Sequence, residues 1–233
     1  MPSDSAALRA RLTSVRERIA TAAGRAGRDP ASIRLIAISK TFSANAIRAA
    51  ADAGQVDFGE NKVQEALPKI AELGANRLRW HLVGHLQSNK ARKAAEHFDL
   101  IHSIDSAALL ARIDDAATAA GRSIDGLVQV DLAGEPTKHG ATPEEIPALL
   151  EAAAACKAVR VVGLMTLPPA FGDPESTRPY FAALRELRDR FAAHAQRASL
   201  SELSMGMSHD FEVAVEEGAT MVRVGAAIFG SRQ

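Results

Sequence analysis

The chain alternates between two hydrophobic rhythms. Residues 33–40, Ile33-Arg34-Leu35-Ile36-Ala37-Ile38-Ser39-Lys40, hold five apolar side chains in eight with no helical spacing. A short run of that kind, rich in branched aliphatics, predicts a strand buried on both faces of a parallel sheet. Similar runs lie at 56–61, 78–84, 99–105, 127–132, 159–167, 202–208 and 221–225. Between them the apolar positions follow a helical period. Leu8, Leu12, Val15, Ile19 and Ala22 predict an amphipathic helix over 5–23, stopped by the stretch from Gly24 to Pro30. Ser43 is placed to cap a helix over 44–53 that Gly54 ends. Val63, Leu67, Ile70 and Leu73 mark the next helix, in which Pro68 should remove a hydrogen bond and bend or split it. Helices also follow at 106–120 and 143–157, along Phe181, Leu184, Leu187 and Phe191, and in the short segment beginning at Phe211 and stopped by Gly218.

Eight strands alternating with helices have the length and rhythm of a TIM (β/α)8 barrel. The expected fold is therefore α/β: one domain over 1–233, with the barrel at about 33–230 and an extra N-terminal helix. A doubly wound open sheet is disfavoured, because no Gly-x-Gly-x-x-Gly fingerprint follows the first strand. Lys and Arg total 28 and balance 28 Asp and Glu, which argues against a nucleic-acid binder that relies on bulk charge. No apolar stretch approaches membrane-spanning length, and the N-terminus lacks a signal-peptide core. The single cysteine, Cys156, excludes an internal disulfide and reads as a small helix-face hydrophobe. A soluble, cytoplasmic, monomeric protein is expected.

Lys40 ends the first strand, at the mouth of a βα loop, the end of a parallel barrel where ligands bind. Apolar walls disfavour the charged ammonium, so its pKa should fall and its amine become a nucleophile toward an aldehyde. The commonest aldehyde cofactor is pyridoxal 5'-phosphate (PLP). Only seven of the 28 basic residues are lysines, so few side chains compete for that role. Barrel closure should gather Lys40, Asn61, His85, Glu135 with Lys138, Met165 with Thr166, the segment from Ser204 to Ser208, and Arg223 to Ala226 on one face. The last two segments belong to strands seven and eight, where barrels often keep a phosphate site. Gly206 and Gly225 would let the backbone approach an anion, Ser204 and Ser208 would donate hydroxyls, and Arg223 would add charge-assisted bonds. Against this, Ser208 could simply cap the next helix, Arg223 could pair with a carboxylate inside the barrel, and Gly225 could be a packing glycine. His81 and His85 span a strand end with no cysteine or carboxylate in motif spacing, so no metal is expected there. His97, His102 and His194 read as surface or satisfied core residues.

Seven motifs also occur in order. They are Ala37-Ile38-Ser39-Lys40-Thr41; Phe58-Gly59-Glu60-Asn61 with Val63-Gln64-Glu65; Trp80-His81 through Gly84-His85-Leu86-Gln87-Ser88-Asn89-Lys90; and Glu135-Pro136-x-Lys138-x-Gly140. Gly163-Leu164-Met165, Leu203-Ser204-Met205-Gly206-Met207-Ser208-x-Asp210 and Val222-Arg223-Val224-Gly225-x-x-Ile228-Phe229-Gly230 complete the set. Together they resemble the YggS/PROSC family of PLP homeostasis proteins over nearly the whole chain. The resemblance implies an alanine-racemase-type barrel of PLP fold type III, with PLP in imine linkage to Lys40. It implies phosphate contacts from the strand-seven motif, with Ser204, Met205, Gly206 and Ser208, and from Arg223, Gly225 and the position of Ala226; Asn61, His85 and Met165, which barrel closure gathers at the same face, complete the expected cofactor-binding residues. It further implies a carrier that buffers PLP, with apo PLP-dependent enzymes as recipients, in place of a catalyst. This chain departs at Ala226, where the family usually places threonine or serine, and at Pro68.

Two other function classes compete. An amino-acid racemase would need a second base, and the only tyrosine is Tyr180 at the start of the helix after strand six. The chain is expected to lack the added β domain that carries the second base in alanine racemases, because it stops at Gln233. A phosphate-sugar enzyme with a Schiff-base lysine would need a carboxylate deep in the barrel, for which Asp131 is the candidate. Lys138 is a candidate second amine near the site, although a solvated loop lysine is the plainer reading.

Overall fold

A computed structural model describes residues 4–74, 78–134, 139–192 and 200–230. Glu135, Lys138 and His194 lie outside these described residues. The strands are β1 (Arg34–Ile38), β2 (Asp57–Glu60), β3 (Arg79–Leu82), β4 (Leu100–Ile104), β5 (Ile124–Val130), β6 (Val159–Thr166), β7 (Glu202–Ser204) and β8 (Met221–Val224). They form a closed parallel barrel in sequence order. Closure is made by β8 against β1, with Met221 opposite Arg34 and Val224 opposite Ala37. The expected single barrel is thus observed. Strands buried on both faces explain why their sequences read as unbroken apolar runs.

The helices around the barrel are α1 (Asp4–Arg25), α2 (Ala44–Asp52), α3 (Val63–Leu73), α4 (Ala91–His97) and α5 (Ala107–Ala119). They continue with α6 (Ile146–Ala155), α7 (Arg178–Ala192), α8 (Phe211–Glu216) and α9 (Ala226–Phe229). The N-terminal helix buries Leu8, Leu12, Val15, Ile19 and Ala22, as their spacing predicts. It packs on α2, α8 and α9. Arg18 pairs with Glu212 at 2.6 Å and Arg25 with Glu216 at 2.7 Å, while Arg11 and Arg28 donate to the carbonyls of Ile228 and Val215. Ser43 caps α2 by accepting from the Ala46 N–H, and Gly54 follows its end at φ +82°.

Several boundaries differ from expectation, each for a local reason. Pro68 does not split α3, which runs unbroken from Val63 to Leu73. Val63, Ala66 and Ile70 are buried and hold the helix on the barrel despite the missing N–H. The seventh strand stops at Ser204, not Ser208, because Gly206 adopts φ +89° and the Asp210 carboxylate accepts from the Met207 N–H. Helix α4 left little trace in the apolar pattern, since it buries only Ala91, Ala94 and Ala95. The fifth strand starts at Ile124, its turn-like Asp125 being paired with Arg160 across the sheet.

Apolar packing divides into two shells. The larger lies between strands and helices, and a smaller one fills part of the barrel lumen with Ile36, Ile38, Val83, Leu100, Leu127, Met165 and Met221. Cys156 closes α6, half-buried, with its thiol on the Ala152 carbonyl. Burial, followed by the charges of Asp114 and Asp115, pushes that thiol up to about 11.

Asp114 fastens α5 to the start of β6. Its carboxylate accepts from the backbone N–H groups of Lys157, Ala158 and Val159 at 2.7–3.0 Å. Burial alone would raise its pKa, but the three backbone bonds outweigh that and hold it below the ordinary carboxylate value. Asp114→Ala should therefore lower the unfolding free energy by about 3 kcal/mol, as expected when a charged acceptor is removed from buried donors. A depressed folded pKa means that this stability is fully present above the unfolded value of about 3.9 and is lost as pH falls through the folded value. Urea melts of wild type and variant at pH 7 and pH 3 check both statements: the difference should shrink at the lower pH.

Candidate functional site

The carboxyl ends of the strands surround two adjoining cavities that share Ile38, Lys40, Met207 and Arg223. The larger, about 480 Å³, is bordered by Asn61, Val83, His85, Gln129, Asp131, His139 and Leu167. The smaller, about 310 Å³, is bordered by Phe42, Ser208, His209, Gly225 and Ala226. Lys40 is half-buried at their junction, as a residue placed just past β1 should be.

What holds Lys40 there is a tight turn. The Phe42 N–H donates to the Ser39 carbonyl at 3.1 Å, and Thr41 between them has φ +68°. A β-branched residue in the left-handed region costs about 1–3 kcal/mol and persists only where its surroundings fix it. Two contacts do so here. Phe42 stacks on Phe229 of α9 at 4.8 Å between ring centres. On the strand side, the Ser39 hydroxyl donates to Glu60 Oε1 at 2.6 Å, and Lys69 of α3 donates both to that oxygen and to the Ser39 carbonyl. Glu60 is fully buried and Lys69 partly so. None of Ser39, Glu60 or Lys69 stood out in the sequence as site residues, because each acts through its neighbour.

The seventh and eighth strands supply a divided set of groups. Ser208 reaches the smaller cavity, where its Oγ accepts from the Gly225 N–H at 3.2 Å. That leaves its hydroxyl proton available, and Ser208 does not cap α8. Ser204 is different. It is completely buried, its Oγ accepts from Arg223 at 2.6 Å, and it is bonded to His102 at 2.9 Å. Its hydroxyl is thus engaged by Arg223 and His102, and Ser204 does not border either cavity. Gly206 is also explained by packing: an added Cβ would meet the Ala214 Cβ at 2.5 Å and the Phe211 backbone at 2.9 Å. Met205 is buried with the outer shell and Met165 with the luminal one. Neither side chain borders the two cavities, whereas Lys40, Asn61, His85, Ser208, Arg223, Gly225 and Ala226 all do.

Arg223 has no carboxylate within ion-pair distance among the described residues. Besides Ser204, it donates to the Thr166 carbonyl at 2.9 Å. Burial lowers its pKa to about 10, with the Asp210 charge opposing that shift. The lumen beyond it is polar. His102 meets His81 at 3.0 Å, His81 meets Asp57 at 2.9 Å, and Arg79 donates to Asp57 at 2.8 Å. Burial keeps both imidazoles below their ordinary pKa, His102 strongly so. At Asp57 burial pulls upward, but the bonds from His81 and Arg79 win and hold the carboxyl down. His102 is thus the satisfied core residue its sequence context suggested, although its partners were not visible there.

A second histidine pair stands at the rim. His85 and His139 stack with ring centres 3.5 Å apart, and Asp105 lies 3.5 Å from His85 Nδ1. Burial first, then the neighbouring His139, lowers the His85 pKa, with Asp105 opposing. The donor atoms of the three lie within 4.8 Å of one another. The ring planes are only 10° apart, so the in-plane nitrogen lone pairs run side by side and do not converge on one point as a tetrahedral ion requires. Asp131, the candidate carboxylate for a phosphate-sugar enzyme, spends Oδ1 on the N–H groups of Ala133 and Gly134. Tyr180 packs against Phe171 and is not among the residues that border either cavity.

The anchor under Lys40 can be tested by removing its carboxylate. Glu60→Ala leaves the Lys69 ammonium and the Ser39 hydroxyl without their buried acceptor. Breaking a buried pair in this way costs about 3–5 kcal/mol. At about 2–4 °C per kcal/mol for a chain of this size, thermal unfolding should begin some 10 °C earlier.

Comparison with known proteins places this geometry in a lineage. The alanine racemase N-terminal domain model matches residues 7–233. The pyridoxal phosphate homeostasis protein of Pseudomonas aeruginosa is 44% identical over 221 residues, covering 95% of this chain and 94% of that one. The Escherichia coli K12 protein of the same name is 43% identical, covering 95% of each. The structure of PipY from Synechococcus elongatus PCC7942 with PLP bound superposes with a TM-score of 0.86 at 44% identity, covering 96% of this chain and all of that one. An alanine racemase from Clostridium difficile 630 shares the fold alone, with a TM-score of 0.72 at 15% identity over 56% of its length. Sequence and fold agree: the chain belongs to the family of pyridoxal phosphate homeostasis proteins, built on the alanine racemase N-terminal barrel.

Proposed function

We propose that this chain binds PLP as a reversible imine on Lys40 and acts as a carrier that buffers the cofactor in the cytoplasm. The observation that carries this reading is the position of Lys40 at the junction of two unequal cavities. PLP has the matching shape, a flat ring whose aldehyde lies between a pyridine body and a phosphate arm. The group supplies an aldehyde carbon that condenses with an amine. The larger cavity offers Val83, Leu167 and the His85 ring to a flat heterocycle. The smaller offers the Ser208 hydroxyl and the Gly225 backbone to an anion. Arg223 borders both and supplies the cation. The similar pyridoxal phosphate homeostasis proteins of Pseudomonas aeruginosa and Escherichia coli, and PipY with PLP bound, support the assignment.

Release follows from the same geometry. An incoming amine that displaces Lys40 from the aldehyde frees the cofactor for apo PLP-dependent enzymes. No side chain bordering the cavities is a tyrosine that could serve as the second base of a racemase. A single half-buried cysteine fits a reducing compartment, and no described helix is long and apolar enough to cross a membrane. We read the working unit as a monomer, to be checked by sedimentation.

Borohydride reduction of PLP-loaded protein followed by peptide mass spectrometry should find the phosphopyridoxyl adduct on Lys40. Lys40→Ala should lose the visible imine band with little change in fold. A dominant adduct on Lys62 or Lys138 would sink the assignment.

Ala226 gives a second test, because it is exposed at the smaller cavity and a longer side chain has room there. Ala226→Thr should tighten PLP binding by about 1.5–3 kcal/mol if the added hydroxyl reaches a charged phosphate, seen as slower cofactor loss on dilution. Unchanged or weaker binding would mean that the phosphate lies elsewhere.

A further inference from the structure

The polar file through the barrel lumen has only one arrangement of protons that satisfies every group. Asp57 accepts from Arg79 through Oδ2, and its other oxygen, 2.9 Å from His81 Nε2, can only accept as well. His81 therefore donates from Nε2. A neutral His81 then accepts at Nδ1, so His102 donates from Nε2 across 3.0 Å. A neutral His102 accepts at Nδ1, and the donor there is the Ser204 hydroxyl at 2.9 Å. Ser204 in turn accepts from Arg223 at 2.6 Å. If His81 were instead an imidazolium, His102 would have to accept at Nε2 and donate at Nδ1. Ser204 would then receive two donors, and its own proton would be left without an acceptor. Every bond in the satisfied arrangement points the same way, from the guanidinium at the cofactor cavities to the carboxylate at the amino end of β2.

We propose that Asp57 is the relayed counter-ion of Arg223, and that His81, His102 and Ser204 are positioning residues that hold the guanidinium against the cofactor cavities. The alignment makes the relay work. Each donor is polarised by the acceptor beyond it, so the Asp57 charge strengthens the bond received by Ser204 without any carboxylate touching Arg223. A carboxylate in direct contact would fix Arg223 as tightly, but it would set a negative charge beside an anionic ligand. The relay keeps that charge on the far side of two imidazoles. Charged groups face the file at its far end as well: Arg34 lies 4.0 Å from Asp57, and Arg79 pairs with it. Both favour the carboxylate and disfavour an imidazolium.

This inference rests on the PLP reading only for what Arg223 serves, so its test has one arm without cofactor. Long-range proton–nitrogen NMR of the free protein should show His81 and His102 neutral and protonated at Nε2 from pH 6 to pH 8. An imidazolium, or an Nδ1–H form at either residue, overturns the relay whether or not PLP binds. The second arm measures PLP dissociation constants for Asp57→Asn, Ser204→Ala and the double variant. Asparagine can still accept from His81 while removing the charge. Groups acting through one chain are not independent, so each single change should weaken binding about tenfold and the double change by about the same factor. Ser204→Thr keeps the hydroxyl and should restore affinity. A double variant weakened about a hundredfold, or single variants that bind PLP as wild type does, would overturn the proposal. Should Asp57→Asn fail to fold, Ser204→Ala against Ser204→Thr carries the same decision, since only the hydroxyl differs in role.

Discussion

Strand β1 hydrogen-bonds to β2 on one side and to β8 on the other, so the ladder has no free edge. That closure is what sets residues from opposite ends of the chain side by side. Ile36 lies in register with Arg223 and Ala37 with Val224, which brings Lys40 next to the turn that begins at Gly225. An added Cβ at Gly225 would lie 3.3 Å from both the Cβ and the carbonyl oxygen of Ile38, so the two strand ends nearly touch there. The amine, the guanidinium and the serine hydroxyl therefore depend on one seam of backbone bonds for their spacing. Slipping that seam by one residue would turn Arg223 out of the lumen and Val222 or Val224 into it.

The lumen behind the site is built at an energetic cost. One part is apolar, with Ile36, Leu100, Leu127, Met165 and Met221. The other holds Asp57, His81, His102, Ser204 and Arg223, all nearly or fully buried. Moving an ion from water into protein costs several kcal/mol, and attraction offsets this only when the remaining donors and acceptors are also satisfied. A lumen filled with aliphatics would be easier to stabilise. The polar file is therefore better understood as serving the ligand cavities than as serving the fold. A similar cost is met under Lys40, where the fully buried Glu60 pairs through Oε1 with the partly buried Lys69 to fix one turn, while Glu60 Oε2 has no hydrogen-bond partner among the described residues.

Much of this was legible in the sequence because parallel strands buried on both faces leave continuous apolar runs. Lys40 was readable as the residue where such a run ends, and Ser208, Arg223, Gly225 and Ala226 as residues at the ends of the last two runs. The roles of Ser204 and Ser208 were not separable, because both sit in what reads as one strand. Only the left-handed backbone at Gly206 shows that the strand has already ended and that the two hydroxyls face different surroundings. His81 and His102, like His85, Asp105 and His139, meet across strands and loops far apart in sequence. Their contacts depend on register and on barrel closure, neither of which a single strand encodes. Helix α4 escaped notice because alanines pack it, and alanine carries little hydrophobic contrast.

Cys156 has a use that follows from its surroundings. It is the one thiol in the chain, and burial and two nearby carboxylates push it up to about 11. Reaction with maleimides or iodoacetamide proceeds through the thiolate, which is scarce at such a value near neutral pH. The natural protein should therefore label only slowly at Cys156, which makes it a favourable background for site-directed labelling. A cysteine placed on an exposed position outside the two cavities would take a fluorophore selectively without first rebuilding the core around α6. Arrival and departure of a ligand could then be followed by a single reporter on an otherwise unaltered molecule.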